Sequence, residues 1–202
     1  LERLDGVSRE LRVVVSGANR AETFVSSVDG SVQYYGINPA GGGANPASPD
    51  GGPKALVLSL HGASVEAINQ SASYGQKSWA HIVAPTNRRP YGFNWEEWGR
   101  LDALETLDLI HERYLIDEDR IYLTGHSMGG HGVWHLATLF PDRFAAAGPS
   151  AGWISFWTYR FRGKCLADSS AAARMIRRST TPSETFRHAG NLSQLGLYIL
   201  HG

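Results

Sequence analysis

The sequence has little of several features that usually assign a protein to a class. It has one cysteine in 202 residues, Cys165, which excludes an internal disulfide framework. Its 19 basic and 19 acidic residues balance, so there is no electrostatic case for binding nucleic acid or an anionic membrane. No apolar run approaches the roughly 20 residues that span a bilayer. These absences favour a globular domain without a membrane span and leave its compartment open.

The most informative segment is a short apolar strand that runs directly into Gly125-His126-Ser127-Met128-Gly129. This G-x-S-x-G pattern is typical of a nucleophile elbow, in which a serine occupies a sharp turn between a strand and a helix. The flanking residues fit, because a β-rich run precedes the pattern and a helical run, residues 128–140, follows it. The pattern therefore predicts that Ser127 is a nucleophile in a strained backbone conformation, and the alternative is a tight turn with an incidental serine.

Strand and helix patterns alternate along most of the chain. Strands are predicted at 11–16, 23–28, 33–37, 55–60, 81–85, 120–124, 144–149 and 196–200, and helices at 65–73, 99–114, 128–140, 164–178 and 183–189. From residue 55 onward the alternation predicts a mostly parallel sheet with helices on both faces. We expect one domain, in which residues 1–53 supply accessory strands and a Gly/Pro-rich loop and residues 54–202 form the core. Without an initiator methionine or a signal-peptide core, the chain is expected to start inside a longer product.

Four segments together resemble the α/β-hydrolase fold. They are LSLHGA at 58–63, WEEWGRLD at 95–102, IDEDRIYLTGHSMGG at 116–130 and FPDRFAA at 140–146. More narrowly, they look like the esterase and prolyl-oligopeptidase-like branch that includes feruloyl esterases and polyhydroxyalkanoate depolymerases. The resemblance covers about residues 55–202. It implies an α/β-hydrolase core whose last strand and helix would follow residue 202.

The resemblance also implies where a tetrahedral oxyanion would be bound. In such enzymes the strand at 55–60 ends in a His-Gly turn that donates one backbone N–H, here at Ala63 or its neighbour Gly62. The second donor would be the N–H of Met128, at the start of the helix after the nucleophile, where the helix dipole also favours an anion. We interpret His61 as a residue that orders this turn by hydrogen bonding, and not as the base.

A serine nucleophile needs a histidine base and a carboxylate, which in this fold follow in the order Ser, acid, His. The final residues, 197–202, resemble the strand that immediately precedes the acid. We therefore expect the triad Asp and His beyond Gly202. Asp168 and His188 are the one tempting pair inside the chain. We interpret Asp168 as complementing a helix dipole and His188 as solvated.

Two further histidines have a spacing that can bind metal, because His131 and His135 stand at i and i+4 on one helix face. With no third ligand in view, packing or surface positions are the better interpretation. The sequence therefore predicts no metal and no organic cofactor.

Six tryptophans are many for a chain of this length. Trp153 and Trp157 follow the strand at 144–149, in the region where this fold inserts specificity elements. They could wall a pocket for an aromatic or sugar-borne acyl group, or they could simply pack in the core or a cap. For Trp95 and Trp98, ahead of the long helix, we favour a structural role.

Two arginines, Arg88 and Arg89, are predicted at the carboxyl edge of the sheet, where ligands bind in open α/β sheets. One of them could bind a substrate carboxylate. We favour the alternative, in which they pair with Glu96 or Glu97.

Together the motifs predict a serine hydrolase, specifically a carboxylic-ester hydrolase that forms an acyl-enzyme on Ser127. The substrate would be a small-molecule or polysaccharide-linked ester. One alternative is a serine peptidase of the prolyl-oligopeptidase type, and an alternative of another class is a non-catalytic binding protein with the same fold. Because the base is expected beyond residue 202, we expect the 202-residue chain itself to hydrolyse esters near the background rate.

Overall fold

The computed structural model describes residues 14, 17–41, 52–88, 94–155 and 169–201. These residues form a seven-stranded sheet in the order β1-β2-β4-β3-β5-β6-β7. The strands are β1 (Arg20–Val25), β2 (Val32–Asn38), β3 (Lys54–Leu60), β4 (Ala80–Pro85), β5 (Ile116–His126), β6 (Ala146–Ser150) and β7 (Gly196–Leu197).

The sheet is mostly parallel, as predicted. Strands β4, β3, β5, β6 and β7 are parallel neighbours, whereas β1 and β2 form a hairpin that pairs antiparallel with β4. A turn at Asp29-Gly30 joins the hairpin, and Gly30 has a φ of 72°, a conformation that glycine adopts without strain. Of the strand predicted at 11–16, only Val14 is among the described residues.

Helices cover both faces of the sheet. They are α1 (Ala67–Ala72), α2 (Glu97–Arg113), α3 (Met128–Leu139), α4 (Ala171–Ser179) and α5 (Thr185–His188). Gln70 of α1 hydrogen bonds to Ser59 of β3, whereas the adjacent Leu58 lies in the buried cluster that includes Leu107 of α2 and Val133 of α3. Because successive strand residues face opposite sides, α1 lies across the sheet from α2 and α3.

The C-terminal third differs most from the predictions. The helix predicted at 183–189 is a 3-10 turn, Thr181–Ser183, followed by the one-turn α5 and a second 3-10 segment, Ala189–Gln194. The strand predicted at 196–200 is only two residues long, although Leu200 bridges to Ser150. Residues 161–168, which include Cys165 and part of the helix predicted at 164–178, lie outside the described residues.

The central strands bring two sequence-distant segments to one edge of the sheet. β3 and β5 are parallel neighbours in a register that sets Leu60 beside Gly125. The residues that follow each strand, 61–63 and Ser127, therefore emerge side by side at the carboxyl edge. Within the described residues, no helix combines the length and the apolar character that crossing a membrane requires.

Candidate active site

Ser127 occupies a sharp turn between β5 and α3, and its backbone is strained. Its φ and ψ are 56° and −117°, a combination that residues with a side chain rarely adopt and that costs about 1–3 kcal/mol. Two hydrogen bonds hold the turn: the Ser127 N–H donates to the Ser150 carbonyl at 2.9 Å, and the Ser127 carbonyl accepts from the His131 N–H at 3.1 Å. The strand, strained serine and helix of the predicted elbow are therefore all present.

The turn is possible because glycines let three backbone segments meet. A Cβ on Gly125 would lie 2.6 Å from the carbonyl carbon of Gly129, which is closer than real side chains approach. A Cβ on Gly129 would overlap the carbonyl oxygen of Leu60 at the end of β3. The G-x-S-x-G spacing thus packs the start of α3 directly against the backbones of β5 and β3.

The turn after β3 lies against Ser127, where the resemblance implies an oxyanion site. A Cβ on Gly62 would lie 3.8 Å from the Cβ of Ser127 and 3.4 Å from the carbonyl oxygen of His126. Among the described residues, the backbone N–H groups of Gly62, Ala63 and Met128 have no hydrogen-bond acceptor. Three donors next to a serine are the arrangement that an oxyanion hole requires, and their role remains a prediction.

His61 is fully buried beneath this turn. Its Nδ1 lies 2.9 Å from the Gly62 carbonyl oxygen, and its Nε2 lies 3.2 Å from the Thr86 carbonyl oxygen. A neutral ring carries one N–H and so donates to one of the two carbonyls. Because both nitrogens face backbone acceptors, the ring fits the interpretation that it orders the turn.

No histidine in the described part of the chain hydrogen bonds to Ser127 Oγ. His126 is exposed and has its Nδ1 3.0 Å from Ser150 Oγ, while His131 is buried and faces Glu96 and the Trp153 carbonyl. His188 was predicted to be solvated, but its Nε2 is buried, because α5 packs against α3. Asp168, the acid of the tempting pair, lies outside the described residues.

The i, i+4 histidine pair lies inside the protein. The rings of His131 and His135 stack with centroids 6.3 Å apart, and burial lowers the pKa of His135 to about 4. Burial raises the pKa of Glu96. Its hydrogen bonds, the one with His131 first among them, outweigh burial and hold the pKa of Glu96 below its usual value. No group of three or more metal-ligating side chains occurs in the ranges that the structure describes.

Arg88 does not pair with Glu96 or Glu97, so that prediction was wrong. Its guanidinium instead donates to Ser26 Oγ at 2.9 Å, lies 3.9 Å from Glu105 and 3.5 Å from Asp29, and sits 5.3 Å from the centroid of the Trp98 ring. Ser26 and Asp29 belong to the β1–β2 hairpin, about 60 residues earlier in the chain. Local spacing could not reveal these partners. Arg89 lies outside the described residues.

Asp102 of α2 is a buried carboxyl group that sequence reasoning did not single out. One of its oxygens accepts from Thr86 Oγ1 at 3.4 Å and from the Arg88 N–H at 3.3 Å, while the other has no partner among the described residues. Burial raises its pKa to about 6. Asp102 thus supports the segment after β4 whose Thr86 carbonyl faces His61.

A cavity of about 480 Å³ lies along the segment that follows β6, and Ser127 is not among its lining residues. Most of its lining is apolar, and the lining residues include Trp134, Trp153, Ile154, Ile199, Leu200 and His201. It begins at Ala151, the residue after the Ser150 carbonyl that holds the Ser127 N–H. Trp153, one of the two predicted pocket residues, therefore lines a cavity, whereas Trp157 lies outside the described residues.

Comparison with known proteins identifies a family and relatives to which this chain is similar. Residues 61–196 match the Esterase family model, described as "Putative esterase". Poly(3-hydroxyalkanoate) depolymerase C of Paucimonas lemoignei is 31% identical in an alignment of 139 residues that covers 60% of this chain and 34% of that protein. The bifunctional acetylxylan esterase/xylanase XynS20E of Neocallimastix patriciarum is 30% identical in an alignment of 109 residues that covers 48% of this chain and 16% of that protein. The chain thus spans about a third or less of these curated relatives.

A solved structure shares the fold. The fluorophosphonate-binding serine hydrolase FphF of Staphylococcus aureus superimposes with a TM-score of 0.68 at 16% identity, over 91% of this chain and 78% of that one. At this identity the likeness establishes the α/β-hydrolase fold alone. The family match covers both the turn at 61–63 and the elbow at Ser127, so the chain belongs to the Esterase family.

Proposed function

We propose that the protein is a carboxylic-ester hydrolase that works through an acyl-enzyme on Ser127. Ser127 Oγ attacks the ester carbonyl while a histidine takes its proton, and the N–H groups of Met128 and Ala63, beside Gly62, hold the resulting oxyanion. Collapse of this intermediate expels the alcohol, which receives the proton from the histidine. Water activated by the same histidine then attacks the acyl-enzyme and releases the acid.

The strained conformation of Ser127 carries this proposal. A backbone at φ 56° and ψ −117° is unfavourable for serine, and here close backbone packing against β3 maintains it. A serine that served only a tight turn would be replaceable by glycine at a gain in stability. The strain is consistent with a requirement to project a hydroxyl beside the N–H groups of Met128 and Ala63.

We further propose that the histidine base and its carboxylate follow residue 202 in the full-length protein. The chain order of this fold supports that position, since acid and base both follow the nucleophile. The described histidines support it as well, because none of them hydrogen bonds to Ser127 Oγ, and His61, His81, His131 and His135 are buried. The strand β7 and Leu200, which pair with β6, would lead into the loop that carries the acid.

We assign the cavity along the segment that follows β6 to the acyl group of the substrate. Trp153 forms one wall, its ring stacked on His131 with centroids 4.8 Å apart, and Trp134 and Ile154 contribute apolar surface. A cavity of about 480 Å³ has room for an aromatic or short aliphatic acyl group. The depolymerase and acetylxylan esterase relatives favour polymer-linked ester substrates over peptides.

The test compares the full-length protein with its Ser127→Ala variant. We expect the wild type to hydrolyse p-nitrophenyl acetate but not an aminoacyl p-nitroanilide, and to be labelled by a fluorophosphonate probe at Ser127. Ser127→Ala should lower kcat by about 10⁴-fold or more and abolish labelling. Hydrolysis of the amide at a comparable rate would replace the esterase proposal with a peptidase. Failure of both hydrolysis and labelling in the wild type would indicate a binding protein.

A parallel assay of residues 1–202 tests the position of the base. Ester turnover by this chain should be near background, because a triad enzyme without its base retains only the contribution of its oxyanion hole and binding. Rapid turnover that Ser127→Ala abolishes would contradict the proposal. It would direct attention to Asp168 and His188.

A further inference from the structure

We propose that Trp95 is a positioning residue for the oxyanion turn, and that it acts by fixing the His61–Gly62 peptide plane, on which the direction of the following Ala63 N–H depends. The inference rests on the proposed esterase function, since it concerns the same site. The sequence suggested a structural role for Trp95, whereas the structure places it under the turn at 61–63.

Trp95 is fully buried, and its one polar atom is directed at the turn. Its Nε1–H donates to the His61 carbonyl oxygen at 3.1 Å. The indole also packs against the edge of the His61 imidazole, with ring centroids 4.9 Å apart and planes at 66°. Trp95 therefore contacts both the backbone and the side chain of the residue that begins the turn.

Planarity of the peptide bond links this contact to the oxyanion site. The His61 carbonyl and the Gly62 N–H belong to one planar trans unit and point in opposite directions. A hydrogen bond that holds the His61 carbonyl in place therefore also fixes the direction of the Gly62 N–H. The next peptide follows the same logic, because the Gly62 carbonyl lies 2.9 Å from His61 Nδ1 and accepts from the Val65 N–H at 3.3 Å, which orients the Ala63 N–H.

The indole is itself held against the nucleophile helix. A Cβ on Gly132 of α3 would lie 2.5 Å from Cγ of Trp95, so the ring packs directly on the helix backbone. The preceding residue, Asn94, has a φ of 80°, accepts from the Trp95 N–H at 2.9 Å and donates its own N–H to Met128 Sδ at 2.8 Å. Trp95 thus relates the turn after β3 to the helix that begins after Ser127.

Loss of the indole N–H would leave the buried His61 carbonyl without this partner and would free the peptide to rotate. An oxyanion donor acts in the transition state, so misorientation lowers kcat and leaves substrate binding intact. Loss of a residue that only filled space would not lower kcat while leaving KM unchanged. This separation distinguishes positioning from packing.

The experiment uses the full-length protein with Trp95→Phe and, as a matched control, Trp98→Phe, which changes an exposed tryptophan three residues away. We expect Trp95→Phe to lower kcat for p-nitrophenyl acetate by roughly 10- to 100-fold with KM within twofold. The control should change neither. Replacement of Trp95 with benzothienylalanine, which keeps the bicyclic shape and lacks the N–H, should reproduce the loss of kcat and keeps the test valid if the phenylalanine variant does not fold.

A second readout does not depend on catalysis. Amide exchange of Val65, whose N–H closes the turn on the Gly62 carbonyl, should accelerate by about tenfold or more in both Trp95 variants, because a less restrained turn opens more often. Unchanged exchange and unchanged kcat would overturn the proposal, as would a rise in KM with constant kcat. If the wild type hydrolyses no ester, the proposed function fails, and the exchange rate still decides whether Trp95 holds the turn.

Discussion

The nucleophile turn and the β6–β7 edge lie about one strand apart but are held in different ways. At the turn, the backbones of β3, β5 and α3 touch through Gly125 and Gly129, and Ser127 keeps a strained conformation. At the edge, β7 pairs with β6 alone among the described strands, and Tyr198 is 71% exposed. The Tyr198 N–H nevertheless donates to the Ala147 carbonyl oxygen at 3.0 Å.

The difference shows that the two halves of the site depend on different parts of the fold. Ser127 and the turn at 61–63 are fixed by central strands, where a small displacement would create backbone overlap. The proposed acyl cavity includes Ile199, Leu200 and His201, which lie on the exposed edge. Substitutions in the first region should therefore alter stability strongly, and those in the second only weakly.

The largest effect is expected for Gly129→Ala. The new methyl group would overlap the Leu60 carbonyl, so the free energy of unfolding should fall by more than about 3 kcal/mol. Gly190→Ala is the matched control, because a Cβ there has no atom within 4 Å. It should change stability by less than about 1 kcal/mol. Urea unfolding of both variants measures the contrast. Equal losses in the free energy of unfolding would show that the backbones at the elbow can move apart to accept a methyl group.

The next effect concerns Asp102 and depends on pH. Burial raises its folded pKa from 3.8 to about 6, so the folded state favours the protonated acid. The stabilisation that the protonated Asp102 gives the folded state is complete below pH 3.8 and is lost as pH rises through about 6. The loss is about 1.4 kcal/mol per pH unit, or about 3 kcal/mol over the whole interval. Asp102→Asn should therefore gain stability relative to wild type between pH 4 and 6, by up to that amount.

Urea unfolding at several pH values tests this by difference. His135 has the opposite effect in an overlapping window, because its lowered pKa makes the folded protein less stable as pH falls below 6.5. It is unchanged in Asp102→Asn, so its contribution cancels in the comparison. A constant difference between wild type and variant would show that the Asp102 carboxyl is not desolvated.

A smaller effect isolates the strain at Ser127. Ser127→Gly and Ser127→Ala both remove the Ser127 hydroxyl, but glycine tolerates a φ of 56° and a ψ of −117° more readily than alanine does. The glycine variant should be more stable than the alanine variant by about 1–2 kcal/mol, less the entropy that glycine loses on folding. Thermal and urea unfolding of the pair give the value. Greater stability of the alanine variant would argue against strain.

The smallest effect is expected at the edge. Tyr198→Lys places a charge on an exposed apolar strand, which opposes edge-to-edge pairing between molecules. The free energy of unfolding of the 202-residue chain should change by less than about 0.5 kcal/mol, while aggregation at high concentration slows. Light scattering measures the second quantity. Loss of stability comparable to that in Gly129→Ala would remove the contrast between the two regions.

Sequence patterns predicted the local parts of this fold well. The leucine spacing predicted a helix at 99–114 and the structure has α2 at Glu97–Arg113, and the buried strand predicted at 55–60 is β3, Lys54–Leu60. Such elements follow from periodicity along a short window, and the strained turn at Ser127 follows from a five-residue motif. The strand predicted at 196–200 is shorter in the structure, where β7 is Gly196–Leu197 and Leu200 forms an isolated bridge to Ser150.

Contacts between distant segments were beyond the sequence. The bond from Trp95 to the His61 carbonyl joins residues 34 apart, and the contact of Arg88 with Ser26 joins residues 62 apart. The wrong pairing of Arg88 with Glu96 or Glu97 came from preferring near neighbours. Only the order of strands in the sheet brings such groups together.

The sequence by itself determined the nucleophile turn, because glycine at 125 and 129 and a strand before a helix leave few other conformations for Ser127. It also determined the class of fold, through the alternation of apolar strands and amphipathic helices. The tertiary structure decided which groups surround the serine. Residues 61–63 reach it only because β3 pairs beside β5, and long-range pairing is a property of the folded sheet that no local pattern encodes.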